Sequence, residues 1–335
     1  MRTSDFHYEL PKELIAQVPP EKRDGGRLMV LNRRTGATKH CHITDLPRLL
    51  SGFLMVVNDS RVIPARIAAR RATGGKVEVL LLESIAPGLW QCMVQSSKLL
   101  RKGEVLCVEL QGSSMTTLNV RTSPKAGRCQ IELPKDWLLE EMGAPPLPPY
   151  IQRPIQKEDW DRYQTVYAKQ DGSVAAPTTG LHFSDNLLGK IKEQETDIVS
   201  VTLHVGPGTF VPVREELLAA HHMEEERYEV PTTTAEAIYC ARKAGKKILA
   251  VGTTVVRTLE TTEGRSGQGR TDLFITPGFQ FQAIDALLTN FHLPCSTLLM
   301  LVCAFAGKEH VLAAYREAVS MRYRFYSYGD AMLIV

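Results

Sequence analysis

Between residues 61 and 144 the chain loses its helical periodicity, and that change of texture limits the fold more than any other feature. Short β-type runs appear at 76–83 (KVEVLLLE), 89–94 (LWQCMV), 104–110 (EVLCVEL), 116–121 (TTLNVR) and 129–133 (CQIEL). Gly74 and Gly75, Pro87 and Gly88, Gly103, Gly112, Pro124 and Gly127 separate them. Five or six strands at spacings of about 10–15 residues, with turn residues between, predict a small β-barrel or sandwich. The stretch closes at PPLPPY, 145–150, whose four prolines predict a stiff linker.

Both flanks read differently. Before the β stretch, a helix is expected over 11–17 and strands over 27–32 and 53–57. FLMVV is apolar at every position, as a strand buried on both faces would be. After residue 150, strand and helix alternate. Ser184 is a plausible N-cap for a helix over 185–194, and IVSVTLHV (198–205) follows as a strand. Thr233 and Glu236 have capping-box spacing for a helix over 234–244, with Gly245 at its C′ position. KILAVG is the next strand and TTVVRTLETT the next helix. Such alternation predicts a mixed or mainly parallel sheet covered by helices. The first sixty residues bury too little alone. They are expected to complete the later region, giving a discontinuous α/β domain (1–60 and 150–335) with a β-barrel domain (61–149) inserted in it.

Composition narrows the class. At 335 residues, with 44% hydrophobic and 23% charged side chains, the chain is globular and long enough for about two domains. Its longest apolar run, Leu298 to Ala306, is far short of the ~20 residues a spanning helix needs. No apolar segment near the start resembles a secretory signal. Seven scattered cysteines with no C-x-x-C pair predict a reducing, cytoplasmic setting. The net charge of +3 does not by itself announce nucleic acid. Its distribution says more: residues 61–150 hold 12 Lys and Arg against 8 Asp and Glu. The excess gathers at Arg61, Arg66, Arg70, Arg71 and Lys76, which reads either as a solvated face or as a phosphate-contacting edge.

Dinucleotide-binding, Walker, zincin and nucleophile-elbow motifs are all missing. Four segments look unlike scaffold. VVNDSRVIPAR (56–66) places Asn58, Asp59 and Arg61 just past a buried strand, where α/β sheets bind ligands. SVAAPTTGLHF (173–183) is small and nearly uncharged, with Thr178 and Gly180 before His182. VTLHVGPGTFVPV (201–213) sets His204 at a strand end before Gly206 and Gly208. The fourth runs from VGTTVVRTLE, with Gly252 at a helix start suited to anions, to Asn290 and His292. Arg257 and Glu260 lie three apart on one helix face and are placed to pair. Asp272 and Asp330 add carboxylates in turn-like settings. The histidines lack recurring ligand spacing, so no metal site is expected.

In order, these segments resemble one family, the S-adenosylmethionine:tRNA ribosyltransferase-isomerases of queuosine biosynthesis. The resemblance covers DFHYELPKELIAQVPPEKRD (5–24), VVNDSRVIPAR, RYQTVYA (162–168), GSVAAPTTGLHF (172–183), VTLHVGPGTF (201–210), VGTTVVRTLE (251–260), TDLFI (271–275), LLTNFHLPCSTLLMLV (287–302) and YRFYSYGDAMLI (323–334). Some positions depart. Glu224 follows His221, His222 and Met223 where the family usually has a second histidine, and Cys295 stands where Lys is usual. Thr179 replaces a common Ala, and Ser60 a common Thr.

The resemblance implies transfer of the ribosyl part of S-adenosylmethionine to 7-aminomethyl-7-deazaguanine at the wobble position of a tRNA anticodon. Epoxyqueuosine-tRNA forms, and adenine and methionine leave. S-adenosylmethionine is a co-substrate, with no bound cofactor. The implied fold is a mixed α/β domain with a barrel-like sheet plus the small all-β barrel, and a monomer with no membrane partner is expected. Within the resemblance, His182, His204, Asp59 and Asp272 are the catalytic candidates. Arg61, Thr178, Gly180, Gly206, Gly208, Arg257, Glu260, Asn290, His292 and Asp330 are the substrate-binding candidates. Arg66, Arg70, Arg71 and Lys76 are the candidates for tRNA phosphates. A methyltransferase would need a Gly-rich strand-loop-helix that is missing here. A non-catalytic RNA-binding module would need a stronger basic or aromatic platform, and a degenerate family member is the third alternative.

Overall fold

The computed structural model describes residues 1–335 except 97, 111–113, 135–137, 211–212 and 214, and leaves the side chains of 209–210 undescribed. Three strands precede the β stretch: β1 (Arg27–Leu31), β2 (Thr38–His42) and β3 (Phe53–Asn58). A short β4 (Ser60–Val62) leads into β5 (Arg66–Arg71), β6 (Lys76–Ala86), β7 (Leu89–Ser96), β8 (Val105–Glu109), β9 (Met115–Val120), β10 (Arg128–Glu132) and β11 (Gly143–Ala144). Then come β12 (Gln170–Ser173), β13 (Asp197–Leu203), β14 (Glu226–Val230), β15 (Lys247–Val251), β16 (Gly267–Thr271), β17 (Ala286–Asn290) and β18 (Ala331–Ile334).

The β stretch closes on itself. Its strands run in the order β11-β5-β6-β7-β10-β9-β8, and β8 returns to pair with β5. Six strands therefore form a closed barrel with β11 appended, which removes the exposed edges an open sheet this small would leave. Alternate residues fill the interior, among them Ile67, Ala69, Val77, Val79, Leu106, Leu118 and Ile131. β5 was not among the runs read as strands, because RIAARR carries three arginines. Its pleat nevertheless turns Ile67 and Ala69 inward. Gly112 lies outside the described residues. The stiff PPLPPY segment packs against the protein: residues 145–148 are buried, and the Leu147 carbonyl accepts a hydrogen bond from Arg66 Nη2 at 2.9 Å.

The second sheet has nine strands in the order β16-β14-β13-β3-β15-β17-β18-β1-β2. β13, β3, β15 and β17 are parallel; β17 is antiparallel to β18, and β18 runs parallel to β1. The architecture is the expected mixed α/β sheet with helices plus a β-barrel. Strand pairing among the described residues does not join the edge strands β16 and β2, so barrel-like closure is not seen in the pairing. β3 shows why the centre needs apolar residues throughout. Leu54 and Val56 enter a core with Val201, Ile248, Val255 and Leu259. Phe53, Met55 and Val57 enter the opposite one with Phe183, Leu187, Leu249 and Leu288. Each such fully buried side chain contributes ~1.5–3 kcal/mol.

Ser184 and Ser296 cap helices Asp185–Glu193 and Thr297–Ala306 by accepting from the backbone N–H three residues on. The capping box at Thr233 is not formed: the helix begins at Thr232, with Pro231 as an extended N-cap and no side-chain cap. The helix expected over 11–17 is only a 3-10 turn, Lys12–Leu14. Leu14 buries there while the chain continues extended beside Phe325. Among the described residues no single helix is long and apolar enough to cross a membrane.

Candidate active site

Parallel strands expose their last backbone groups at their carboxyl ends, so side chains there decide what a neighbouring cavity meets. Here Asn58 fastens two such ends together. Its Oδ1 accepts from the backbone N–H of Ser60 and of Leu203, and its Nδ2 donates to the Leu203 carbonyl, at 3.0–3.1 Å. Asp59 is buried and accepts from Thr202 Oγ1 at 2.7 Å. The next residue on each strand path then meets the other: Ser60 Oγ lies 2.8 Å from His204 Nδ1. Ser60 also donates to Ser173 Oγ at 2.8 Å, and Ser173 Oγ accepts from the Val205 N–H at 2.8 Å.

β4 and β12 pair in parallel with a bulge between Asp171 and Ser173. The extra residue is Gly172, at φ +141°. A Cβ there would stand 2.9 Å from His204 Nδ1 and Cε1. Only glycine lets the imidazole lie against this backbone.

His204 is half-buried and lines a cavity of about 340 Å³ with Gly172, Gly206, Arg128, Glu224 and Arg227. A larger cavity of about 580 Å³ shares Leu82, Glu83, Gly172 and Arg227 with it and reaches Arg61, Trp90 and Trp160. Together they form a cleft with the barrel as one wall and the ends of the nine-stranded sheet as the other. Among the described residues three ion pairs cross it. Arg128 of β10 pairs with Glu224, and Glu83 of β6 receives both Arg227 at 3.3 Å and Arg270 at 2.6 Å. Burial, and then the Arg227 guanidinium, hold the His204 pKa below its ordinary value, which keeps the ring neutral near pH 7.

A second group lies deeper. Asn290 Oδ1 accepts from Thr178 and Thr179 at 3.2 and 2.9 Å, and its Nδ2 donates to the Tyr326 carbonyl and lies 3.3 Å from His182 Nε2. His182 is buried, and burial pushes its pKa down to about 4. His292, hydrogen-bonded to Thr289, is pushed down to about 3 by the same cause. Thr178, Asn290 and His292 share a small pocket of about 40 Å³ with Gly252 and Thr254. His182 lines none of these cavities.

The remaining candidates divide. Arg61, 54% exposed, faces the larger cavity beside Asp171. Gly206 donates its N–H to Glu226 Oε1 at 2.8 Å, and Gly208 packs against Glu224. Gly180 answers a packing need, since a Cβ there would stand 2.2 Å from Tyr167 Oη. Arg257 and Glu260 do not pair. Arg257 is buried against Glu226 and the carbonyls of Leu273 and Thr271, and Glu260 accepts from the N–H groups of Gln282 and Ala283. Asp330 braces Arg27 and the Arg324 N–H. Asp272 is exposed and apart from the cleft. Arg71 is held by Glu104 and the carbonyls of Lys98 and Leu99, and Arg66 by Glu78 and Leu147. Arg70 and Lys76 face each other across β5 and β6, both exposed. Among the described residues no group of three or more His, Cys, Asp or Glu is placed to hold a metal.

Comparison with known proteins fits this geometry. The family model described as "Queuosine biosynthesis protein" matches residues 3–334. The chain belongs to the queuosine biosynthesis protein family. A relative from Anaeromyxobacter sp. (strain Fw109-5), named S-adenosylmethionine:tRNA ribosyltransferase-isomerase, is 50% identical over 100% of this chain and 99% of its own. One of the same name from Thermotoga maritima is 49% identical, covering 100% of both chains. A crystal structure of S-adenosylmethionine tRNA ribosyltransferase from Thermotoga maritima aligns over 99% of this chain and 100% of that one, with TM-score 0.57 and 38% identity.

Within this family member, several residues of the cleft escaped the sequence reading. Gly172 and Ser173 open the GSVAAPTTGLHF segment, yet neither is among its site candidates, because only a glycine before a small apolar loop signals a close approach. Glu226 and Arg227 follow two glutamates and look like a solvated charge run. Glu224, one of the family departures, takes the barrel's Arg128.

Proposed function

We propose that this cleft transfers and isomerises the ribosyl moiety of S-adenosylmethionine onto 7-aminomethyl-7-deazaguanine at the wobble position of a tRNA anticodon, releasing adenine and methionine and leaving epoxyqueuosine-tRNA. One observation carries the reading: a neutral, half-buried His204 at the carboxyl ends of parallel strands lines a cavity of about 340 Å³ that adjoins a second of about 580 Å³. These volumes lie in the usual range for small-molecule sites.

The sulfonium of S-adenosylmethionine acidifies the ribosyl carbon bonded to it. A base must remove that proton, and neutral imidazole has the right basicity. His204 is that base. Arg61 and the backbone of Gly206 and Gly208 bind the co-substrate in the cleft. Asp59 holds the His204 strand end through Thr202 and so acts on the base's position. Thr178, Asn290 and His292 form the floor behind Val205, which lines both the cleft and the small pocket. Arg257, Glu260 and Asp330 act as braces, since each has its polar atoms taken by protein partners.

The reacting base enters unstacked, which an anticodon loop allows at little cost. Exposed Arg70 and Lys76 supply phosphate contacts from the barrel. In this reading residues 61–149 are an inserted domain that forms the tRNA-facing wall, and 1–60 with 150–335 are the catalytic domain. The protein works as a cytoplasmic monomer with S-adenosylmethionine as co-substrate.

The test is a product assay with S-adenosylmethionine and an anticodon stem-loop carrying 7-aminomethyl-7-deazaguanine, read by mass spectrometry. Adenine, methionine and an epoxyqueuosine nucleoside are expected, and none with a guanine-bearing loop. S-adenosylhomocysteine with a methylated base would replace the reading by methyl transfer.

A further inference from the structure

Resting on the reading of His204 as the base, the hydrogen-bond directions at its other ring nitrogen carry one step more. A neutral imidazole has a single N–H, so fixing the partner of one nitrogen fixes the chemistry of the other. Ser60 is fully buried, and its hydroxyl has one proton. That proton goes to Ser173 Oγ, 2.8 Å away. Ser173 Oγ is itself held by the Val205 N–H, so it cannot drift from Ser60. What Ser60 turns toward His204 Nδ1 at 2.8 Å is therefore a lone pair, and the proton between them belongs to the imidazole. Gly172 leaves room for the ring in this contact, because the ring lies on its Cα where a Cβ would clash. Among the described residues Nε2 has no hydrogen-bond partner.

We propose that Ser60 is a positioning residue: it fixes His204 in the Nδ1–H tautomer and leaves the Nε2 lone pair facing the cleft. In the proton-transfer step, Nε2 forms the new N–H bond and the substrate C–H bond breaks. The electron pair stays on the carbon beside the sulfonium. The imidazolium keeps its Nδ1–H on Ser60, so no hydrogen bond is remade as the charge appears, which is how a preorganised partner lowers a barrier. Ser173 holds Ser60 in turn, and neither serine touches the reacting atoms.

The experiment is ring-nitrogen NMR of protein labelled at histidine with ¹⁵N, at slightly alkaline pH, on the wild type, Ser60→Ala and Ser60→Thr, with His204→Gln to assign the signal. The wild type should show a protonated Nδ1 and an unprotonated Nε2. Ser60→Ala should move the proton to Nε2 in a substantial fraction and lower kcat about tenfold, equivalent to about 1.4 kcal/mol, with KM unchanged. Ser60→Thr keeps the hydroxyl and should restore both. A wild-type proton on Nε2 overturns the proposal. So does a Ser60→Ala protein whose His204 spectrum and kcat match the wild type. Should the alanine variant fail to fold, the wild-type and threonine spectra decide. The spectrum needs no turnover, so an inactive wild type with its proton on Nδ1 would count against ribosyl transfer while leaving the role of Ser60 standing.

Discussion

Arg257 distinguishes a ligand from a brace, and the two make different forecasts. Its side chain is 4% exposed and Glu226 is 7% exposed, so neither charge is solvated. Arg257→Met removes one partner and leaves a carboxylate buried without a counter-charge, which typically costs about 3–5 kcal/mol. At ~2.1 cal/mol/K per residue, the unfolding entropy of a chain this size is ~0.7 kcal/mol/K. The loss then lowers Tm by about 4–7 °C, read by calorimetry or circular dichroism. Glu226→Gln in the same chain removes the stranded charge yet keeps an oxygen for the Gly206 N–H, now 2.8 Å from Glu226 Oε1. The double variant should recover more than half of the loss, a coupling that independent sites do not show. A substrate-carboxylate ligand behaves otherwise. If Arg257→Met keeps its Tm within about 1 °C, under 1 kcal/mol on this scale, while KM for S-adenosylmethionine rises at least about tenfold, the brace reasoning is refuted.

Three further outcomes are expected. Gly172→Ala sets a Cβ 2.9 Å from His204 Nδ1 and should cut kcat at least about tenfold with KM for S-adenosylmethionine little changed; full activity would show that the ring does not need this backbone. Arg70→Ala and Lys76→Ala should each lower the slope of log affinity for tRNA against log salt by about one. Arg71→Ala should leave that slope alone and lower the thermal stability by about 1–3 kcal/mol, since its guanidinium is already held by Glu104, Lys98 and Leu99. Stability should fall in acid. His182 and His292 are pushed down to about 4 and about 3 in the fold, so they stay neutral where the unfolded chain takes up protons. Their contribution is complete above pH ~6.5 and is lost as pH falls, down to about 4 for His182 and about 3 for His292, at ~1.4 kcal/mol per pH unit for each. Urea midpoints between pH 7 and pH 4 that stay level, or are unchanged by His292→Gln, would contradict this.

What was legible in the sequence follows from how locally each feature is determined. The barrel announced itself because an interior closed by alternation writes a period of two into every strand. β3 announced itself because both its faces are covered. β2 and β5 did not, since TKHCH and RIAARR place polar residues on exposed faces and leave few apolar ones to see. The N-terminal turn misled because the chain there pairs through its backbone with Phe325, a contact made far along the chain. The site shows the same division. His204 before a glycine turn was readable, whereas its partners Ser60 and Ser173 lie 113 residues apart. Arg257 and Glu260 looked like a pair from their spacing, yet each was claimed by a partner from another strand or loop that no local rule names.

The charges of the cleft complete this account. Glu83, Arg128, Glu224, Arg227 and Arg270 would each pass for surface residues, and isolated surface pairs contribute little. Here they all cross from barrel to sheet at the cavity His204 faces. The barrel and the sheet have separate cores, so the distance between the cleft's walls depends on these polar contacts as well as on the chain passing through β4 and residues 145–150 and on Val174, which packs into the barrel core. Screening by salt weakens such contacts, and phosphates compete for the same arginines. A tRNA entering this cleft would therefore meet guanidinium groups held by carboxylates rather than free ones. Exchanging those partners for phosphate would loosen the barrel wall as the substrate arrives. Glu83→Gln releases Arg227 and Arg270 together. It should tighten tRNA binding and steepen its salt dependence, while S-adenosylmethionine binding in the absence of tRNA stays nearly the same. Weaker tRNA binding in that variant would mean that the arginines must be held in place to act, and that the cleft does not open by exchange of partners.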